Sequence, residues 1–314
     1  MTLTSLPLIS VIIPAFNSEK TIQETIDSVL NQTWRNLELI IVNDGSQDST
    51  LDIVTSIKDP RLKVFSHPNA GVSDSRNRGI SQAVGEFISF LDADDLWTAD
   101  KLESQLKALQ ENPQAGVAYS WTDYIDKNSQ FLRPCSHCTA NGDVYPELLK
   151  YNFLANGSNI LVRSQALSEV DGFNKLFTPA DDWDMYLRLA SRYHFVVVPS
   201  PQILYRVASP TSLSSNVFKM EEAGLKLIEQ HYSQAPEHLQ CLKRESLAVL
   251  YQYLIYKVFE ESVGRQKGVK ASKLFWSYIK NDNSKHRRVR LKFSLLSKVV
   301  TTILIPAYQP DLNW

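Results

Sequence analysis

The first ninety residues alternate short apolar runs with stretches of helical periodicity. The predicted strands are residues 8–13, 37–42, 61–66 and 86–91, of which those at 8–13 and 37–42 are short apolar runs. Such runs are typical of strands buried on both faces. The stretches between them that predict helices are residues 19–32, a segment from about residue 49, and residues 71–84. Strands alternating with helices predict right-handed crossovers and an α/β fold with a largely parallel central sheet.

The second half of the chain has a more mixed pattern. Its predicted elements are a helix over 98–110, strands over 117–125, 159–163 and 195–198, a polar loop over 127–143 and a helix over 181–193. From about Asn216 the pattern becomes helical and rich in Leu, Tyr and Lys. We therefore expect an α/β domain over residues 1–215 and a helical C-terminal region over residues 216–314.

Composition narrows the class of protein. Lys and Arg number 33 against 34 Asp and Glu, so overall charge gives no reason to expect a nucleic-acid partner. Three cysteines do not make a disulfide scaffold, which favours a reducing, cytoplasmic compartment. The opening residues lack the pattern of a signal peptide, and no run of about 18 uncharged apolar residues predicts a transmembrane helix.

One short motif is suggestive of zinc. Cys135, His137 and Cys138 lie within four residues, but a closed zinc site needs about four ligands and only Cys241 remains as a thiol. We interpret the motif as part of the polar loop.

Polar side chains follow three of the predicted strands. Asn17 follows the first strand, Asp44 the second, and Asp92 and Asp94 the fourth. Ligands of open α/β sheets bind at the carboxyl ends of the strands. Asp92, Asp94 and Asp95 repel one another, and near a core they need a metal ion, an arginine or water to compensate them. The alternative is a plain turn before a helix, since Asp is a favoured turn residue.

Six motifs, taken in order, resemble the family 2 glycosyltransferases. They are SVIIPAFN at 10–17, SVLNQT at 28–33, VNDGSQDST at 42–50, GVSDSRNRG at 71–79, FLDADD at 90–95 and ADDWD at 180–184. The last motif departs slightly, because Asp181 stands where the family usually has Glu. The resemblance covers roughly residues 8–215. It implies the GT-A fold, a Rossmann-like nucleotide-sugar-binding domain, together with a nucleotide-diphosphate sugar donor, a divalent metal and inversion of the anomeric carbon.

The resemblance assigns the strand-end acids to metal and donor. Asp94 is implied as the metal ligand, and Asp92 as facing the ribose or the metal through water; Asp95 is left open. On a strand, side chains two positions apart point the same way, so Asp92 and Asp94 can share a ligand. Mg²⁺ or Mn²⁺ prefers carboxylate and phosphate oxygens and neutralises a leaving diphosphate.

Further donor-binding candidates lie near the first three helices. The Asp44 carboxylate can accept the imide N–H of uracil or a donor of another base, and a plain strand-to-helix turn is the alternative. Of the possible donors we expect a UDP-sugar. Arg76 can meet the diphosphate, or it is an ordinary surface arginine. The candidates expected to approach the base are Pro14, Ala15, Asn17 and Glu19.

Asp182 is the candidate general base. Inverting transfer needs one carboxylate to take the proton from the acceptor hydroxyl as it attacks, with no covalent enzyme intermediate. Asp181 and Asp184 can raise the proton affinity of Asp182 by like-charge repulsion. Adjacent helical positions point apart, so we expect Asp181 and Asp182 to have different partners. The alternative is that these acids simply favour a helix N-terminus.

The C-terminal tail carries separate information. Residues 285–292 contain five Lys or Arg and no acid, and residues 293–308 are apolar apart from Lys298 and several hydroxyls. Such a segment can lie on the anionic inner face of a membrane. Packing on the catalytic domain or on a second subunit is the alternative.

The resemblance, with the residues that carry it, implies an inverting glycosyltransferase that acts on a glycan or lipid-linked acceptor. A nucleotidyltransferase is the enzyme alternative, but its phosphate loop is normally glycine-rich and residues 12–17 contain no glycine. A non-catalytic sugar-nucleotide-binding or membrane scaffold protein is the other alternative, and the acids at Asp44, Asp92, Asp94 and Asp182 argue against it.

Overall fold

The computed structural model describes residues 6–207, 216–260, 265–283 and 289–304. The chain forms two compact units. The first comprises Met1–Tyr145 and Phe153–Ser209, and the second comprises Pro146–Asn152 and Pro210–Trp314. The boundary predicted between residues 215 and 216 borders the segment 208–215, which lies outside the described residues, and it stays a prediction.

One mixed sheet organises the first unit. Its described strands are β1 Ile9–Ala15, β2 Leu37–Asn43, β3 Leu62–Ser66, β4 Phe87–Phe90, β5 Leu96–Trp97, β6 Ala115–Ile125, β7 Phe131–Ser136, β8 Leu161–Arg163 and β9 His194–Arg206. The order is β3-β2-β1-β4-β8-β6-β9-β5, with β7 paired to β6. Strands β3, β2, β1 and β4 are parallel, as predicted. Antiparallel β8 lies between β4 and β6, so the carboxyl ends of β4 and β6 share one edge.

Helices cover this sheet because their apolar faces must be buried. The helices up to residue 190 are α1 Ile22–Leu30, α2 Thr50–Ser56, α3 Val72–Gln82, α4 Lys101–Glu111, α5 Tyr145–Lys150, α6 Ser164–Ser168 and α7 Asp181–Ala190. Every residue of β1 is buried, as its continuous apolar run predicts. Helix α3 lies so close to β1 that a Cβ at Gly79 would overlap the side chain of Ile12.

The two-residue strand β5 was not predicted, and two longer strands differ from the sequence prediction. Strand β7 lies inside the segment predicted as a polar loop over 127–143. Its side chains are half-buried or exposed, so it lacks the apolar alternation by which a strand is recognised; pairing with β6 forms it instead. Strand β9 continues past residue 198 to Arg206, because a shift in its register with β6 near Pro201 accommodates the prolines.

The second unit is helical, as predicted. Its longer helices are α8 Val217–Gln234, α9 Lys243–Glu260, α10 Arg265–Asn281 and α11 Val289–Leu304. Inside it, the Tyr232 hydroxyl lies 2.6 Å from Ser246 Oγ. In the part of the chain that the structure describes, no helix is both long and apolar enough to cross a bilayer.

Candidate functional site

The three carboxylates that follow β4 have three different environments. Asp92 Oδ1 accepts a hydrogen bond from Arg76 Nη2 at 2.6 Å. Asp95 is fully buried, and its two oxygens accept from Ser158 Oγ at 2.6 Å and from the backbone N–H of Arg206 at 3.0 Å. Asp94 is half-buried, and among the described residues no other side chain pairs with its carboxylate. Asp92 and Asp95 therefore have side-chain hydrogen-bond partners, whereas Asp94 has the more distant positive charge of Arg206.

Proton affinities follow this arrangement. Burial raises the pKa of Asp94 to about 6, and the neighbouring Asp92 carboxylate adds to the rise. Burial, with the charges of Asp94 and Asp92, raises the pKa of Asp95 well above its usual range. Ala93 and Asp94 form a turn. The alternation of side chains along a strand, from which we expected Asp92 and Asp94 to share a ligand, therefore does not extend to Asp94.

Arg76 on α3 is a buried bridge and is not a surface arginine. Its Nη2 donates to Asp92, and its Nη1 donates to Asp181 Oδ2 at 3.1 Å. Its guanidinium carbon lies 4.9 Å from the centre of the Phe173 ring. Burial acts to lower the pKa of Arg76, but the two carboxylates outweigh burial and raise it. Gly157 leaves room for this bridge, since a Cβ there would lie 2.6 Å from Nη2.

The acids at the start of α7 have different partners. Asp181 is buried against Arg76, and Asp184 pairs with Arg188 one turn along the helix at 2.6 Å. Asp182 is half-buried. Burial raises the pKa of Asp182 to about 7; Asp181 raises it further, and Arg76 opposes the rise. A carboxyl that takes up a proton near neutral pH is suited to general-base chemistry.

Asp44 lies at the carboxyl end of β2, where its carboxylate is buried and oriented by backbone. One oxygen accepts from the N–H of Ala70 at 2.9 Å and the other from that of Gly71 at 2.8 Å. The Asp44 N–H donates to Ala15 O at 2.8 Å, which ties it to the end of β1 beside the buried Pro14. The structure thus brings three of the predicted donor-binding residues together.

Asn17 and Glu19 shape the loop after β1. Asn17 adopts a positive φ of 49°, and its side-chain oxygen accepts from the N–H of Gln47 at 2.8 Å. Glu19 is exposed, and its carboxylate accepts from the N–H of Ser49 at 3.0 Å. Both side chains join this loop to the loop after β2.

Sequence reasoning missed three residues around the acids, namely Ser158, Asn156 and Tyr186. Ser158 contacts two of the acids, since its Oγ also accepts from the N–H of Asp92 at 3.0 Å. Arg206 Nε donates to the Asp94 carbonyl at 2.8 Å and holds the turn. The Tyr186 hydroxyl donates to Asn156 O at 2.8 Å. The polar run Asn-Gly-Ser-Asn at 156–159, between apolar stretches, is the signal that could have found two of them.

Solved structures define the class. The chain is similar to TarS of S. aureus in complex with UDP-GlcNAc, with a TM-score of 0.58, 19% identity, and coverage of 90% of this chain and 91% of that one. It is also similar to the mannosyltransferase PcManGT from Pyrobaculum calidifontis in complex with GDP-Man and Mn²⁺, with a TM-score of 0.60, 16% identity, and coverage of 98% and 89%. The α/β unit therefore has the GT-A glycosyltransferase fold.

Sequence comparison then gives the family. The model of the glycosyltransferase like family 2 matches residues 10–258, so the chain belongs to that family. A glucosyltransferase of Escherichia coli, UDP-Glc:alpha-D-GlcNAc-diphosphoundecaprenol beta-1,3-glucosyltransferase WfgD, is 32% identical over 217 residues, which is 68% of this chain and 81% of WfgD. Chondroitin synthase of Pasteurella multocida is 34% identical over 192 residues, 59% of this chain. The chain spans only 19% of that synthase and 28% of a Rickettsia bellii glycosyltransferase.

Proposed function

We propose that this glycosyltransferase moves a hexose from a nucleotide-diphosphate sugar to a hydroxyl of a glycan or lipid-linked acceptor, with inversion of the anomeric carbon. The observation that carries the proposal is the bridge from Asp92 through Arg76 to Asp181. This bridge joins the acids after β4 to the acidic start of α7. It holds a candidate base, Asp182, beside the candidate donor site.

Asp182 acts as the base in this reaction. It takes the proton from the acceptor hydroxyl, and the oxygen forms a bond to the anomeric carbon. The bond from that carbon to the diphosphate breaks on the opposite face, and its electron pair leaves with the diphosphate. With its pKa near 7, Asp182 is about half ionised at neutral pH, and it still binds the proton more strongly than an ordinary carboxylate. A single displacement inverts the carbon.

Asp94 is the residue that fits a divalent metal ion. Among the described residues, no group of three or more His, Cys, Asp and Glu is arranged to hold one. Asp94 is nevertheless a half-buried carboxyl with a raised pKa and no pairing side chain, which a cation would stabilise. Asp94 would hold Mn²⁺ or Mg²⁺, with Asp92 as its neighbour, and diphosphate oxygens are of the ligand type that these cations prefer. When bound, the metal neutralises the leaving group.

The nucleotide is assigned to the ends of β1 and β2. Each Asp44 oxygen accepts one backbone N–H and retains a second acceptor position for the imide of uracil. Pro14 and Ala15 form the buried wall beside it, and Asn17 and Glu19 form the rim. A UDP-sugar is the proposed donor, supported by the UDP-Glc in the name of WfgD and the UDP-GlcNAc bound to TarS.

A lipid-linked acceptor is supported by the name of WfgD, which specifies a diphosphoundecaprenol-linked sugar. Helix α11 offers a matching surface. One face is buried through Leu295, Val299 and Thr302. The opposite face is apolar yet exposed, by 68% at Phe293 and 73% at Leu304. Three further exposed apolar residues of that face are Val289, Leu296 and Val300.

We therefore place the enzyme in the cytoplasm at the inner face of the membrane, with α11 on the lipid surface. Residues 1–215 are the catalytic domain and residues 216–314 the helical region in this proposal. The basic run adds attraction to anionic lipid, although its residues 285–288 lie outside the described part of the chain.

Replacement of the base tests the proposal. Asp182→Asn is expected to keep UDP-sugar binding, measured as thermal stabilisation by a panel of UDP-, GDP- and dTDP-sugars. Transfer should fall by a factor on the order of 10² or more, because an amide cannot accept the hydroxyl proton. Asp52→Asn, at an exposed position of α2, is the matched control. Transfer by Asp182→Asn at the wild-type rate would reassign the base to Asp181 or Asp184.

A further inference from the structure

An aromatic pair backed by a carboxylate lies in the first unit, outside the acids described above. The Trp121 and His137 rings stack with their centres 4.6 Å apart and their planes 12° from parallel. His137 Nε2 lies 2.7 Å from Asp123 Oδ1. The Asp123 side chain is 13% exposed and that of His137 is 34% exposed, so the carboxylate is covered while the imidazole reaches solvent.

The segment that carries the imidazole is held in place by β6. The Tyr119 hydroxyl donates to Ala140 O at 2.5 Å, and Trp121 Nε1 donates to Cys138 O at 2.9 Å. Neither Cys135 nor Cys138 forms a disulfide with a described residue, and the histidine of the motif pairs with Asp123. The motif that is suggestive of zinc therefore serves to present His137 against Trp121.

This pair lies at the same edge of the sheet as the candidate active site. Trp121 and Asp123 are near the carboxyl end of β6, which shares its edge with the carboxyl end of β4. Between them, Thr122 Oγ1 accepts from Asn156 Nδ2 at 3.2 Å. Asn156 O in turn accepts from the hydroxyl of Tyr186, which lies one helical turn after the candidate base on α7.

We propose that Trp121, His137 and Asp123 form a subsite for a sugar ring of the acceptor. The proposal rests on the proposed function, because it supplies the acceptor side of that reaction. A flat aromatic surface packs against the C–H face of a sugar, and polar groups at its edge bind the hydroxyls. With Nε2–H donated to Asp123, Nδ1 faces no hydrogen-bond partner among the described residues and can bind a sugar hydroxyl.

Saturation-transfer NMR on the full chain with UDP present tests the subsite. The probes are the methyl glycosides of glucose, galactose and N-acetylglucosamine. Trp121→Ala and His137→Gln are expected to weaken binding of the best probe by about tenfold or more, while thermal stabilisation by UDP is unchanged. Trp276→Ala, at a 68% exposed tryptophan of the second unit, is the matched control and should bind as wild type does. His137→Gln keeps a donor toward Asp123, so it preserves the fold even where Trp121→Ala does not.

Two results would overturn the subsite. The first is that wild type and His137→Gln bind the probe with equal affinity. The second is that wild type binds none of the three glycosides although UDP stabilises it. Failure of the proposed function has a different signature, since neither UDP nor any nucleotide sugar would then stabilise wild type.

Discussion

Transfer should lose rate in acid as Asp182 takes up its proton. Burial and the charge of Asp181 raise the pKa of Asp182 to about 7, and only the ionised carboxylate can accept the hydroxyl proton. With that pKa, roughly a tenth of the enzyme is competent at pH 6 and roughly nine tenths at pH 8, a change of about tenfold. An aspartate with its ordinary pKa, about 3.9, would give a flat profile over this range.

The assay must separate Asp182 from Asp94, because burial raises the pKa of Asp94 to about 6. Protonation of Asp94 would weaken metal and donor binding, whereas protonation of Asp182 would lower turnover at saturating donor. The measurement is therefore kcat for transfer between pH 5.5 and 9, with donor affinity followed by calorimetry at each pH. Equal kcat at pH 6 and pH 8 would refute the reasoning. The residual transfer rate of Asp182→Asn should not fall as the pH is lowered through 7.

Three further perturbations probe the metal, the bridge and the tail. Asp94→Asn is expected to weaken donor binding in calorimetry with Mn²⁺, since it removes a charged ligand oxygen; an unchanged metal-dependent affinity contradicts this. Gly157→Ala places a Cβ 2.6 Å from Arg76 Nη2 and should lower the unfolding free energy by about 1–3 kcal/mol. An unaltered midpoint of denaturant unfolding would contradict this. Full-length protein should sediment with anionic vesicles at low salt, whereas a chain truncated before Lys285 should not; full-length protein left in the supernatant excludes membrane binding.

The parallel half of the sheet was predictable because its signals are local. Residues 37–42 form a continuous apolar run, and the structure has a strand over Leu37–Asn43. A strand buried on both faces must be apolar throughout, so its pattern is visible without knowledge of its neighbours. The position of the polar residues at one edge of the sheet was predictable for the same reason, since the carboxyl ends of parallel strands lie at one side of a sheet.

Side-chain partners were not predictable, because they depend on contacts that are distant in the chain. Arg76 and Asp181 are 105 residues apart, and no periodicity connects them. Strand β7 was missed for a similar reason. It is a strand because it pairs with β6, and its own residues do not show a strand pattern. The contact between His137 and Asp123 likewise depends on the pairing of β6 with β7. The sequence predicts only that the histidine lies in a polar loop.

Three carboxylates can follow a buried strand here because the protein compensates them unequally. Asp95 points inward, where Ser158 and a backbone N–H donate to its two oxygens, although burial and the neighbouring charges still raise its pKa well above its usual range. Asp92 is satisfied by the guanidinium of Arg76, a fixed positive charge. Asp94 has no side-chain partner of this kind among the described residues; burial and the charge of Asp92 raise its pKa, and the charge of Arg206 opposes the rise. A divalent cation that accompanies the donor would therefore act most directly on Asp94, because Asp92 and Asp95 already have partners in the protein; this is the physical reason for which we propose Asp94 as the metal ligand.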